Sequence, residues 1–467
     1  MLFFKFLCGR IMVILLFLAT LYSEEYISII SVGDIMLSRG LIPFLEKYGS
    51  EYPFKRTKSL LKKGDVVIGN FEGFISTNSS MTGKFIFRAS TSVINGLVNA
   101  GFNVLTLANN HILDGGYEGL SSTLKILKRG GILFTGAGMN LKEAITPAVI
   151  KIGKKKVAVI SCTTVVPKSY YATEKKYGVV PADLIVDEIK KLRVFYDHVI
   201  VSIHWGKELC EYPTKKQIKY AHSFIDAGAE MVVGHHPHVI QGIEVYKGRI
   251  IAYSLGNFIF DNPSLPTSES FILCLKLLPR KKIVEVYPIF RRKGVPRILM
   301  KGEIGERIIE KIIRLSNEFG TKIIKDSHAL KVVIPTSNEY IQVDKSRMVL
   351  EYLKDGKILY SFPVALGMKG CTPEGRFIIL NKIMNPGYRE KDGKLINGGD
   401  SKNPLGKCWL GLDRWNLRTK RQYGIHGTND ESRIGKEVSR GCIELLNQDV
   451  IILYKKVKVG TEVFIFK

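Results

Sequence analysis

The sequence predicts a two-domain chain, a long α/β domain followed by a shorter, mostly-β one, both behind an apolar leader. Three observations carry this. From Glu24 to about Asn262, β-branched apolar runs alternate with amphipathic helical stretches, the pattern of α/β folds. From Lys331 onward helix signals thin out, and short alternating strands are separated by glycine turns. With 467 residues, 45% hydrophobic and 24% charged, the chain exceeds one hydrophobic core and has an ordinary globular composition.

Lys5 and Arg10 precede an unbroken apolar run, Ile11 to Tyr22. A membrane span needs about 20 such residues, so the run suits a signal-peptide core or N-terminal anchor over 1–23. Its positive flank stays inside and the rest is exported, to the cell wall or the outer face of the membrane. The next domain extends over 24–322. Its strands are predicted at Tyr26–Val32, Val66–Ile68, Val104–Leu107, Val157–Ser161, His198–Ile203, Met231–Val233 and Ile250–Tyr253. Helices are predicted at Ser92–Ala100, Tyr117–Arg129, Asp183–Phe195 and Lys215–Ala227. Phe271–Leu278 and Ile283–Ile289 add two strands. Glu303 to Phe319 carries Ile304, Ile308, Ile312 and Leu315 at helical spacing, which predicts a helix with one buried face. A short connector, 323–330, leads to the last domain, 331–467.

Unusual polar residues gather just past the strands' carboxyl ends, where open α/β sheets hold ligands. They are Gly33-Asp34, Asn70-Phe71-Glu72, Asn109-Asn110-His111, His204-Trp205-Gly206 and Gly234-His235-His236-Pro237-His238. One such cluster alone reads as a loop cap. Five of them, rich in Asp, Glu, Asn and His, read as a ligand set for one or two divalent ions (Mn, Fe, Zn or Mg) that could act on a phosphoryl ester.

These clusters, with Ser254-Leu255-Gly256-Asn257-Phe258, resemble the capsule-synthesis (CapA-type, poly-γ-glutamate) family. The resemblance implies a calcineurin-like metallophosphatase sandwich (αββα). It implies Asp34, Glu72, Asn110, His204, His236 and His238 as metal ligands and His111 beside the reacting phosphoryl. His235 remains an alternative to His236. Met36 stands where ordinary metallophosphatases place a ligand histidine, and Glu72 where they place an aspartate. Such modules hydrolyse an ester, or bind and help export an anionic polymer.

In the last domain His426 lies sixteen residues ahead of Cys442. A thiol becomes a strong nucleophile as thiolate, so it needs a base or a positive field nearby. His426 is the candidate base and Arg440 the candidate field, while Gly441 lets backbone amides approach an oxyanion. A lone pair of this kind reads as a buried structural thiol and an unrelated histidine. The wider pattern, His426-Gly427-Thr428 followed by Ser439-Arg440-Gly441-Cys442-Ile443, resembles the L,D-transpeptidase (YkuD-type) catalytic motif. So do Thr372-Pro373-Glu374-Gly375-Arg376-Phe377, Asn403-Pro404-Leu405-Gly406 and Val459-Gly460-Thr461-Glu462-Val463. This resemblance implies a mostly-β fold, no cofactor, and acyl transfer on peptidoglycan stem peptides by Cys442 and His426. The outcome is a cross-link or, with water, L,D-carboxypeptidase trimming. Arg440 and Glu444 depart from the motif, which has histidine and arginine there, and Glu444 is expected to pair with a nearby cation or alter the donor accepted. Tyr423 and Trp409 read first as strand aromatics and second as cleft walls.

The net charge is +26, divided as +17 before Lys331 and +9 from it onward. A field spread over both domains favours polyanions such as anionic lipid, wall polymers or poly-γ-glutamate. No nucleic-acid motif accompanies it. Six cysteines follow Cys8 without CxxC or metal-finger spacing, and a Cys371–Cys408 disulfide is the one bridge considered. A reading as mainly a capsule-polymer synthesis, export or attachment factor stays beside the enzymatic one.

Overall fold

A computed structural model describes residues 26–466 except 79, 82, 84, 279–281, 335–338, 355, 356, 391, 392, 417, 418 and 420. The leader expected over 1–23 and the Asp355-Gly356 turn lie outside the described residues. Among the described residues, no helix is long and apolar enough to cross a membrane. The chain divides into two compact units, Met1–Glu244 with Ile250–Val332, and Val245–Arg249 with Val333–Lys467.

In the first unit all nine predicted strands form. Ile27–Ile35, Val66–Phe71 and Val104–Thr106 pair in parallel in a ten-stranded sheet. Lys155–Thr163, His198–His204, Met231–His235 and Arg249–Ala252 pair in parallel in a six-stranded one. Their β-branched residues are buried throughout, as strands covered on both faces require. The helices Val93–Ala100 and Gly116–Arg129 bury Leu97, Leu120, Leu124 and Leu127 against Ile30, Val67 and Leu105 of the larger sheet. The Ser202 hydroxyl donates to Thr106 Oγ1 at 3.0 Å, a polar tie between the two sheets. The helix predicted from Asp183 begins at Ile185, after a 3₁₀ turn over Ala182–Leu184.

The connector is a correction. Ile323–Lys325 and Leu330–Val332 are paired strands, and the second adds to Lys282–Arg292 at the edge of the larger sheet. Each spans three residues, Ile323-Ile324-Lys325 and Leu330-Lys331-Val332, too short a stretch for a period to show.

Among the described residues the second unit holds an eight-stranded mixed sheet, two small two-stranded sheets and one α-helix, Asn447–Lys456. Gly375–Met384 joins its two halves, pairing first with Glu462–Phe466 and then, past a bulge near Leu380, with Cys408–Trp415. Ile341, Leu350, Phe377, Leu410, Ile425, Ile443, Leu453 and Val463 make its core. The Cys371–Cys408 bridge does not form. Both thiols are free, Cys371 is exposed, and Cys408 is buried with its sulfur 3.5 Å from Met384 Sδ.

Candidate active sites

In the first unit the carboxyl ends of separate strands converge. Asp34 is fully buried. Its Oδ1 accepts from Asn70 Nδ2 at 2.9 Å and lies 3.1 Å from His235 Nδ1, while its Oδ2 lies 3.3 Å from His238 Nδ1. His204 is held at both nitrogens, by Asn70 Nδ2 at 3.3 Å and by Asn110 Oδ1 at 2.7 Å. Glu72 Oε1 stands 3.7 Å from His238 Nε2 and 3.8 Å from His111 Nε2. His111 stacks on Phe87 with centroids 3.7 Å apart, and its Nδ1 lies 2.9 Å from Asp114 Oδ2.

The backbone is strained where the histidines enter. His236 and His238 take φ of 93° and 59°, a region side chains avoid. Gly234 is required just before them, since a Cβ there would stand 1.9 Å from the Tyr253 carbonyl oxygen. Two triads offer ligand atoms within 4.8 Å of one another, Asp34 with Glu72 and His204, and Glu208 with His236 and His238. Both Glu72 oxygens, His236 Nδ1 and His235 Nε2 are buried without a hydrogen-bond partner. Buried polar atoms of this kind are costly unless something satisfies them, and a mixed carboxylate and imidazole set suits a divalent first-row ion. The residues therefore fit a metal centre.

The charges are strongly coupled. Burial raises the Glu72 carboxyl to about 7, with the Asp34 charge adding to it. Burial works against a charge on His238 too, but the Glu72 and Asp34 carboxylates outweigh it and lift the imidazole to about 10. Burial lowers His236 to about 4 and holds His204 neutral. Burial would raise Asp34, but bonds from His235 and His238 prevail and keep it ionised.

In the second unit His426 is the penultimate residue of the Gln422–Gly427 strand and is buried. Its Nδ1 lies 2.6 Å from the Gly427 carbonyl oxygen, so Nδ1–H donates and Nε2 is left to accept a proton. Ile443 pairs with Ile425 and Glu444 with His426 in parallel register. Cys442, one residue before that strand, thus comes level with Gly424 and on the His426 side of the sheet by strand alternation. Trp409 stacks on His426 with centroids 5.7 Å apart.

The Cys442 loop is tied to itself. The Ser439 hydroxyl donates to the Cys442 carbonyl at 2.6 Å and accepts from Gly441 N–H at 3.0 Å. Gly441 N–H is thereby taken up within its own loop and is not free for an oxyanion. Gly441 has a φ of 122°, and a Cβ there would meet Tyr423 Cε1 at 2.4 Å and the Cys371 carbonyl oxygen at 2.8 Å. Burial raises the Cys442 thiol to about 11, although the Gly424 amide and the Arg421 charge pull it down. Burial lowers His426, so the resting pair is thiol and neutral imidazole. Arg421, exposed as Arg440 is, is the cation whose charge lowers the Cys442 thiol, and its pull is the smallest of the influences on it. Glu444 is buried in a two-pronged bond from Arg433, Nε to Oε2 at 2.7 Å and Nη2 to Oε1 at 2.8 Å.

Comparison with known proteins joins these two sites to two families. Residues 28–262 match the family described as bacterial capsule synthesis protein PGA_cap, and residues 338–465 match the YkuD L,D-transpeptidase catalytic domain. The chain belongs to the PGA_cap family and carries a YkuD-type L,D-transpeptidase catalytic domain at its C-terminus. The PGA biosynthesis protein CapA of Bacillus subtilis is 32% identical over 309 residues, 65% of this chain and 81% of that protein. The capsule biosynthesis protein CapA of Bacillus anthracis is 34% identical over 286 residues, covering 59% and 70%. YqjB of Bacillus subtilis, named for the L,D-transpeptidases, is 42% identical over 127 residues, 27% of this chain and 70% of that one.

The PGA_cap domain brings Asp34, Glu72, Asn110, His111, His204, His236 and His238 into one cluster. His235 enters as well, against Asp34 rather than in either triad. Met36, at the position of the missing histidine, is buried with Phe87 and Phe260, and its sulfur accepts from the Ser38 hydroxyl at 2.8 Å. Sequence reasoning missed Glu208 and Asp114. In the transpeptidase domain it missed Arg421 and Arg433. Each is a charged residue outside any motif, and only Glu208, four residues after His204, and Asp114, three after His111, carried a signal of proximity.

Proposed function

We propose that this protein is an exported cell-wall enzyme whose Cys442 forms a thioester with peptidoglycan stem peptides, and whose PGA_cap domain holds or acts on an anionic polymer. The observation that carries the first part is the pairing of a neutral, Nδ1-anchored His426 with a thiol across two adjacent parallel strands. Cys442 Sγ bonds to the carbonyl carbon of an L-centre in a tetrapeptide stem as its proton passes to His426 Nε2. The C–N bond to the terminal D-residue then breaks, and the departing amine takes that proton. A side-chain amine of a second stem attacks the thioester, giving a cross-link and restoring the thiol; water in its place gives a trimmed peptide. The Arg440 and Cys442 amides face the developing oxyanion. Because burial holds the thiol neutral, proton transfer accompanies attack instead of preceding it.

Incubating the protein with disaccharide-tetrapeptides and following products by mass spectrometry tests this. A dimer lacking one terminal D-residue, absent with Cys442→Ala, is expected. Trimmed monomer alone would mean a carboxypeptidase, and no Cys442-dependent product would sink the enzymatic reading.

In the PGA_cap domain, Asp34, Glu72, His204, Glu208, His236 and His238 are the residues to hold divalent ions, which would polarise a phosphoryl oxygen. His111, oriented by Asp114, carries a proton at the same side of the cluster. Phe87 and Phe260 wall it and limit water. Purified protein without bound Mn, Fe, Zn or Mg, and without phosphatase activity when these are added, would leave the domain a polymer-binding factor. Export is tested by fractionation, with the protein expected outside the cytoplasm.

A further inference from the structure

At one edge of the larger sheet, Lys282–Arg292 and Val295–Ile298 form a hairpin closed by Lys293-Gly294, with φ of 50° and 71°. Arg292 pairs with Val295 and Arg297 with Phe290, so the tip displays Arg292, Lys293 and Arg297, all exposed. With Lys55, Tyr52 and Val295 they enclose a cavity of about 220 Å³. Four cations line it and no carboxylate does. Lys55 Nζ sits 4.2 Å over the Tyr52 ring, which stacks in turn on Tyr48 and Phe44.

Elsewhere in this domain prominent cations are matched by acids: Arg39 with Asp261, Lys58 with Glu51, and Arg307 and Lys311 with Glu269. Cations gathered round a concavity without acids repel one another, and an anion entering it relieves each pair at once. The next residue inward, Arg291, is buried and donates to the carbonyls of Phe260, Asn262 and Thr267. The Phe260 ring stands 5.1 Å from that of His238, so the hairpin is braced on the segment that walls the metal cluster.

We propose that this basic pocket is a binding site for the carboxylate groups of an acidic polymer chain, separate from the metal cluster and able to hold a chain that extends towards it. The proposal rests on the anionic-polymer reading above and locates its contact. A concave pocket with one small apolar residue fits an acidic side group; a membrane surface would ask for a flat face with protruding apolar residues.

The test measures binding of a fluorescent γ-linked glutamate oligomer to the full chain by anisotropy at fixed ionic strength. Arg292→Glu/Lys293→Glu/Arg297→Glu should weaken binding by about tenfold or more. Lys154→Glu/Lys215→Glu/Lys219→Glu makes the same change in net charge on exposed lysines elsewhere, and should stay within about twofold. Lys55→Ala/Arg297→Ala, which leaves the hairpin turn intact, should weaken binding by about threefold or more and guards against misfolding of the first variant. Equal losses in both charge-reversal variants, or none in either pocket variant while the wild type binds, would overturn the pocket and leave the polymer reading standing. A wild type that does not bind the oligomer would overturn both. Pocket variants that lose polyphosphate or phosphatidylglycerol vesicles but keep the glutamate oligomer would overturn the carboxylate assignment.

Discussion

The two sites handle buried ionisable groups in opposite ways. The PGA_cap cluster keeps charge inside: an ionised Asp34 and a Glu72 whose oxygens have no hydrogen-bond partner. The transpeptidase site keeps charge out, with a neutral thiol against a neutral imidazole. Its one buried carboxylate, Glu444, is closed off by Arg433. The first arrangement is incomplete without a cation. The second is complete at rest.

The sharpest break of this contrast is Cys442→Ala. It should lower transpeptidation by about a thousandfold or more, as loss of a nucleophile does, and leave bound metal unchanged. Metal content measured beside product formation checks both halves. Gly441→Ala comes next. Its φ and the approach of Tyr423 misplace the loop, and a displacement near 1 Å costs about a hundredfold in kcat.

Arg433→Ala leaves the Glu444 carboxylate buried and unpaired, and should cost about 3 kcal/mol, read from denaturant unfolding. Glu444→Gln keeps a partner for Arg433 and should cost less. If the two were equal, Glu444 would not be a desolvated charge. Conversely, Mn²⁺ at about a hundred times its Kd should stabilise the PGA_cap domain by about 2.7 kcal/mol, and Glu72→Gln should reduce the gain. A thermal shift unmoved by metal would erase the contrast.

The smallest effect is on reactivity with pH. A thiol titrating near 11 is deprotonated only as pH rises, so alkylation of Cys442 by iodoacetamide should speed up about tenfold per unit from pH 7 to 10. A rate already flat at pH 7 would mean a preformed thiolate and would make the two sites alike.

The sequence by itself determined much of this protein. Period-two and helical patterns marked both units, and polar clusters at strand ends marked the buried cluster of carboxylates and imidazoles, because strand direction alone puts those ends on one rim. The His426 and Cys442 motifs marked the YkuD-type domain because each is local in the chain. Only the tertiary structure decided what depended on approach between distant segments. It brought Glu208 to His236 and His238, Asp114 to His111, and Arg421 towards Cys442. It turned Gly441 N–H inward to Ser439 and made the 323–330 connector an edge of the sheet. It also set the protonation of both sites, since burial, which no local pattern encodes, is what moves Glu72 and Cys442.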